Sequence, residues 1–176
     1  MKVLGALLLA LTLTSCASAN NESASGKVVP CGEITFEEKW VGGPMTDCLD
    51  GSKGIQLSAL RGPMVINVWG TWCAPCEDEI PIFRDFYAKA KGKIELVGVD
   101  VEEAKAQDGR DFVISHGMTW PNLIDTKGNS RGYFGMGVPV TWFVGADGKA
   151  AYKKIGVIKS EAELIELTQK YLGVKI

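Results

Sequence analysis

Apolar and polar positions alternate along this chain with two periods, and the change of period marks the elements. Met64-Val65-Ile66-Asn67-Val68-Trp69 is short, β-branched and apolar, interrupted only by Asn67, which predicts a central buried strand. From Pro75 to Lys91 the apolar residues Ile80, Phe83, Phe86 and Tyr87 recur at helical spacing, with Pro81 expected to kink that helix rather than end it. After the Lys91-Gly92 stop, Ile94 to Val101 reads as a second buried strand. Glu102 to His116 reads as a helix with Phe112 and Ile114 among its apolar positions and Gly117 as its C-terminal cap. Trp120 to Ile124 is a short strand, Asp125 to Gly128 a turn, and Ser130 to Phe134 a short helix. Thr141 to Val144 and Ala150 to Ile155 flank the hairpin signal Asp147-Gly148. Ser160 and Glu163 form a capping box for a last helix with Leu164, Ile165, Leu167, Thr168 and Leu172 on its apolar face.

Upstream the pattern is weaker. Ile34 to Phe36 and Trp40-Val41 suggest a short strand or irregular arm, and Met45 to Leu49 a further strand before the turn Asp50-Gly51. Leu57 to Pro63 reads as one helical turn stopped by Gly62 and Pro63. The order β-α-β-α-β followed by β-β-α predicts an α/β domain, parallel strands with crossover helices closed by an antiparallel hairpin.

The first residues are set apart from this domain. Lys2 precedes an apolar run, Val3 to Leu13, of about eleven residues, short for a bilayer span. It ends in Leu13-Thr14-Ser15-Cys16, which resembles the bacterial lipoprotein signal, in which the cysteine becomes the lipidated first residue. An ordinary signal peptide cleaved near Ala17 or Ala19 is the alternative. Both place the mature protein outside the cytoplasm, where disulfides persist. A Cys16 carrying more than one acyl chain would be stably anchored to a membrane. The expected organisation is therefore a lipoprotein signal peptide over 1–15, a polar tether over 16–30 and the domain over 31–176.

Charge narrows the partners. The 19 basic residues nearly balance the 21 acidic ones and form no basic stripe, which argues against nucleic acid. With one histidine, His116, His-rich metal sites are excluded. His116 reads as a helix-end residue.

Cys73 and Cys76 carry the chemistry. Thiolates are the nucleophiles of disulfide exchange, and a cysteine at a helix N-terminus meets unpaired backbone N–H groups that favour the thiolate. Cys73 is expected to be the exposed, attacking thiol; Cys76, one turn in, resolves the mixed disulfide. Pro75 sits where a missing N–H costs nothing. A zinc site would want two further ligands at compatible spacing, and Cys31 and Cys48 do not form a second C-x-x-C.

Trp72-Cys73-Ala74-Pro75-Cys76, the strand before it, Pro81 and Gly137-Val138-Pro139 together resemble the thioredoxin superfamily. Asn67 to Cys76 followed by Glu79-Ile80-Pro81 is similar, more narrowly, to its membrane-tethered TlpA- and ResA-like thiol–disulfide oxidoreductases; the likeness spans roughly Pro44 to Leu172. The resemblance implies a three-layer sandwich, a central mixed sheet with flanking helices, an N-terminal β arm and a central β-α insertion around Glu102 to Ile124. It implies that Pro139 is cis and faces the dithiol, that Val138 offers backbone contacts to a substrate peptide, and that Glu79 is a proton acceptor. Asn67 stands where other thioredoxins carry a buried aspartate, and cannot titrate. Trp72 is expected to shield the dithiol or touch substrate; Trp69 and Trp120 read as packing residues.

With Cys16 lipidated, four cysteines allow three pairings. Cys73–Cys76 leaves Cys31–Cys48, a loop worth about 3 kcal/mol in the chain-entropy model, read either as a structural disulfide or as a second redox pair relaying electrons. The expected activity is exchange with envelope proteins, needing no metal or organic cofactor, recharged by a membrane redox partner. By resemblance it reduces specific substrates, for example in cytochrome c maturation; a disulfide-forming oxidase is the alternative. Thioredoxin-like potentials from about −270 to about −120 mV span roughly 7 kcal/mol, and the residues around the dithiol do not select a value. A peroxidatic Thr-x-x-Cys is absent, and a copper-binding C-x-x-x-C spacing is not met.

Overall fold

The computed structural model describes residues 25–39 and 42–176. Its strands are β1 (Met45–Cys48), β2 (Ile55–Gln56), β3 (Met64–Trp69), β4 (Glu95–Val101), β5 (Asn122–Asp125), β6 (Val140–Val144) and β7 (Ala150–Ile155). The helices are α1 (Ala74–Ala90), α2 (Ala106–Ser115) and α3 (Glu161–Leu172). One mixed sheet in the order β2-β1-β5-β4-β3-β6-β7 holds all seven strands. β3, β4 and β5 run parallel at its centre; β6 and β7 on one side and β1 and β2 on the other run antiparallel.

All six residues of β3 are buried. The two-residue period of a strand sends Val65 and Trp69 to one face and Met64, Ile66 and Val68 to the other. The first face packs against all three helices through Phe83 and Phe86 of α1, Phe112 and Val113 of α2 and Leu164 of α3. The second face is covered by an irregular third layer, in which Cys31 and Ile34 of the N-terminal arm, Leu57, Leu60 and Phe134 pack on Val97 and Val99. The arm is a 3-10 turn, Cys31–Glu33, followed by a single bridge from Phe36 to Leu60.

Three local expectations shift for identifiable reasons. The helix predicted from Glu102 begins only at Ala106. Glu102 has φ +59°, outside helical geometry, and its N–H donates to the Asp125 carbonyl. Ser130 to Phe134 forms hydrogen-bonded turns rather than a helix. The Asp125 carboxylate collects the N–H groups of Lys127, Asn129 and Ser130 and the Ser130 hydroxyl, and these outweigh its burial to hold its pKa low. Ile114 is 44% exposed while its neighbour Val113 is buried, which moves the apolar stripe of α2 by one residue. Elsewhere the pattern and the elements agree: Ser160 caps α3 by accepting from the Glu163 N–H, and Gly173 closes it at φ +69°. Trp40, Val41, Cys16, the 1–15 segment and most of the 16–30 tether lie outside the described residues.

Candidate active site

β3 delivers the chain to the C-terminal edge of the sheet, and α1 carries it away. Between them lie Gly70-Thr71-Trp72-Cys73. Gly70 is required by close approach: a Cβ there would stand 2.7 Å from Trp72 Nε1 and 3.1 Å from the Val101 carbonyl oxygen. The Trp72 indole N–H donates to that same carbonyl at 3.2 Å, which pins a side chain that is otherwise 55% exposed.

Cys73 is the N-cap of α1, with φ −99° and ψ 91°. Its Sγ accepts from the Cys76 N–H at 3.3 Å, so the sulfur occupies the place where a serine or aspartate oxygen would cap. Cys73 and Cys76 are joined as a disulfide. Cys73 keeps 5% of its surface and Cys76 1%. The exposed attacking sulfur expected from the sequence is thus nearly covered in the oxidised state, because the bond turns it towards Cys76 and into the helix-side core. Pro81 lies inside α1, which continues to Ala90.

Glu79 is fully buried. Its Oε1 accepts the Ile158 N–H, while Oε2 has no hydrogen-bond partner among the described residues. Burial pushes its carboxyl up to about 7, helped by the charge of Glu163 and opposed by the Ile158 N–H and Lys154. A carboxyl one helical turn beyond Cys76 that changes protonation near neutrality can take or return a thiol proton. Asn67, in the middle of β3, is also buried, and neither its Oδ1 nor its Nδ2 finds a hydrogen-bond partner among the described residues.

Val138 and Pro139 approach from the neighbouring strand. Val68 pairs with Val140, so Pro139 lies beside Trp69, where β3 gives way to the dithiol loop. The Val138–Pro139 peptide bond is cis. Val138, Trp72, Val68, Phe134 and Met136 line a cleft of about 290 Å³ whose rim holds Glu102 and Arg131, ion-paired at 2.9 Å. Met136 is 91% exposed. A cleft with an aromatic wall beside a disulfide can seat an apolar segment of polypeptide.

Cys31 and Cys48 are bonded on the opposite face of the sheet, where they tie the arm to β1. His116 stacks on Phe112 at 3.8 Å, Phe112 on Trp69 at 4.9 Å, and His116 Nε2 meets Glu77 Oε1 at 3.0 Å. His116 therefore joins the end of α2 to the first turn of α1. Two further carboxyls near the dithiol loop, Asp100 and Glu103, are buried. The signal for Asp100 was an acid near the end of the apolar run from Leu96 to Val101; Glu103 gave none, since it sits among the polar residues after that run.

Residues 36–153 match the profile of the AhpC/TSA family. The chain belongs to the AhpC/TSA family. Among curated relatives, the thiol-disulfide oxidoreductase ResA of Bacillus thuringiensis subsp. konkukian (strain 97-27) is 34% identical over 150 residues, 80% of this chain and 82% of that protein. ResA of Bacillus thuringiensis (strain Al Hakam) is 37% identical over 111 residues, 61% of this chain and 63% of its own length, so the match spans under two thirds of that relative. Among solved structures, StoA from Bacillus subtilis superposes with a TM-score of 0.59 at 26% identity, covering 70% of this chain and 94% of that one. MTB dsbF gives 0.63 at 24% identity, covering 72% and 93%, a likeness of fold. The central mixed sheet with packed helices is thus the thioredoxin-like fold that the motifs implied.

Proposed function

We propose that this protein is an extracytoplasmic thiol–disulfide oxidoreductase whose reduced form passes two electrons to disulfides of specific envelope proteins. The observation that carries this reading is the Cys73–Cys76 disulfide at the N-terminus of α1, beside Trp72 and its apolar cleft. The naming of ResA proteins as thiol-disulfide oxidoreductases supports it.

In the forward direction the Cys73 thiolate attacks one sulfur of a partner disulfide. A Cys73–partner bond forms, and the other partner sulfur leaves as a thiolate that takes a proton. Cys76 gives its proton to Glu79, and its thiolate attacks the Cys73 sulfur. The Cys73–Cys76 bond closes and the second partner thiolate departs, reprotonated from Glu79. The dithiol is oxidised and the partner disulfide reduced by two electrons. Trp72 and the backbone at Val138-Pro139 hold the partner segment during both displacements. A membrane-bound dithiol donor returns the electrons, and Cys16, lipidated, tethers the domain to the membrane beside it. The haem-site cysteines of apocytochrome c are a substrate class of the right chemistry.

The test is trapping. A Cys76→Ser variant expressed in the envelope should accumulate mixed disulfides on Cys73, released by dithiothreitol; a variant that accumulates none counts against the reading. The Cys73–Cys76 potential gives direction. A value near about −270 mV fits a reductase, and one near about −120 mV would reverse every step above and make the protein an oxidase. Palmitate labelling that survives Cys16→Ser would remove the anchor from the proposal.

A further inference from the structure

Asp100 stands at the C-terminal end of β4, paired in register with Trp69 of β3 and Ile124 of β5, at the level where the dithiol loop leaves the sheet. It has no exposed surface, and among the described residues no N–H or hydroxyl group donates to either carboxyl oxygen. A buried carboxylate without a donor is among the costliest groups a core can hold. The fold nevertheless keeps room for it: a Cβ on Gly109 of α2 would lie 2.2 Å from Asp100 Oδ2.

Among the described residues, the charges acting on it are those of Glu103 and Asp108, and neither is a cation. β3 and β5 present Trp69 and Ile124. α2 presents Gly109 and the negative Asp108. Arg110 of α2 is engaged elsewhere, donating to the Leu49 carbonyl at 2.7 Å and to Gln107. The remaining group is Glu103, 5% exposed, on the loop after β4. Burial first, then the charge of Glu103, its hydrogen bond and the charge of Asp108 raise the Asp100 carboxyl to about 9. Glu103 in turn accepts the Thr71 N–H at 2.6 Å, two residues before Cys73.

We propose that Asp100 and Glu103 share one proton, and that this pair positions the active-site loop: Asp100 donates to Glu103, and Glu103 holds the Thr71 N–H. Both are positioning residues, since neither touches a sulfur. One proton leaves the pair with a single negative charge, aimed at a backbone N–H of the loop. When the pair loses that proton, two carboxylates face each other in the core, Glu103 turns outward, and Thr71 and Trp72 are freed. Asn67 cannot supply a buried acid from β3, whereas β4 supplies one in Asp100. The inference deepens the oxidoreductase reading, and its tests need no partner protein, so either can fail without the other.

Two measurements on the full chain decide it. At about pH 8, where Glu79 is mostly ionised, the infrared spectrum should keep one un-ionised carboxyl C=O band, and Asp100→Asn should remove it. The Thr71 amide resonance should shift as Asp100 titrates in the alkaline range, and in Asp100→Asn this titration should vanish. No such band at that pH, or a Thr71 amide indifferent to alkaline pH, overturns the proposal on the wild-type protein alone, whether or not the variants fold. In Glu103→Ala the Thr71 amide should exchange with solvent at least roughly tenfold faster, and the rate of Cys73 alkylation in the reduced protein should change about threefold or more. Glu103→Gln, which keeps an acceptor for Thr71, should restore both. Equal alkylation rates in all three proteins would overturn the positioning role.

Discussion

The described residues hold two disulfides, and burial does not tell them apart: Cys31 and Cys48 are 2% and 3% exposed, Cys73 and Cys76 5% and 1%. What differs is where each sits and what surrounds it. Cys31–Cys48 joins residues 17 apart, fastening an arm with little regular structure to β1 on the irregular face of the sheet. Cys73–Cys76 joins residues three apart inside one helical turn, on the other face. The first closes a loop long enough to restrict the unfolded chain; the second closes almost none. The second has a helix N-terminus, a buried carboxyl that titrates near neutrality and a cleft. Chemistry follows those neighbours rather than the bond itself.

The sharpest way to break the comparison is to exchange the roles. Cys73→Ser should abolish disulfide exchange, roughly a thousandfold or more in an insulin or scrambled-protein assay, with little change in thermal midpoint. Cys31→Ser with Cys48→Ser should do the opposite, costing about 3 kcal/mol in urea unfolding while the Cys73–Cys76 potential stays in place. If the double variant instead shifted that potential or slowed exchange in step with its loss of stability, Cys31–Cys48 would be part of the redox path.

Glu79 sharpens the contrast at the dithiol. Its folded-state pKa of about 7 lies above the ordinary 4.5, so it costs nothing below about pH 4.5. The penalty grows as pH rises between those values and is complete above about 7. Glu79→Gln should therefore stabilise the fold at about pH 8 by up to about 3 kcal/mol and leave it unchanged at about pH 4, measured by urea unfolding at both. It should also flatten the pH dependence of exchange near neutrality. Unaltered pH profiles would leave Glu79 a packing residue. The smallest effect is expected at Trp72. Trp72→Ala should weaken partner binding by about 1–2 kcal/mol in a trapping competition, with the dithiol potential and stability nearly unmoved.

Much of the fold was legible because burial writes itself into spacing. The five apolar positions of β3, the helical period of α1 and the capping box of α3 follow from local rules of propensity and pattern. The dithiol was legible for the same reason: Cys73 and Cys76 are neighbours along the chain, and the strand and helix around them are local structures. β2, two residues long, was not, because its pairing to β1 is what makes it a strand. The turn at Ser130 was misread as a helix because the acceptor that organises it, Asp125, acts through a side chain rather than through a period.

The sequence by itself determined that a thioredoxin-like α/β domain presents a reactive pair at a strand–helix junction, since strand, helix and pair all lie within about thirty consecutive residues. Only the tertiary structure decided which charges surround that pair. It buried Glu79 against Ile158, 79 residues away, and brought Glu103 to Thr71 from 32 residues away. It also sealed Asp100 under Gly109. A carboxyl's protonation depends on the water and charge around it, and chain neighbours do not specify either.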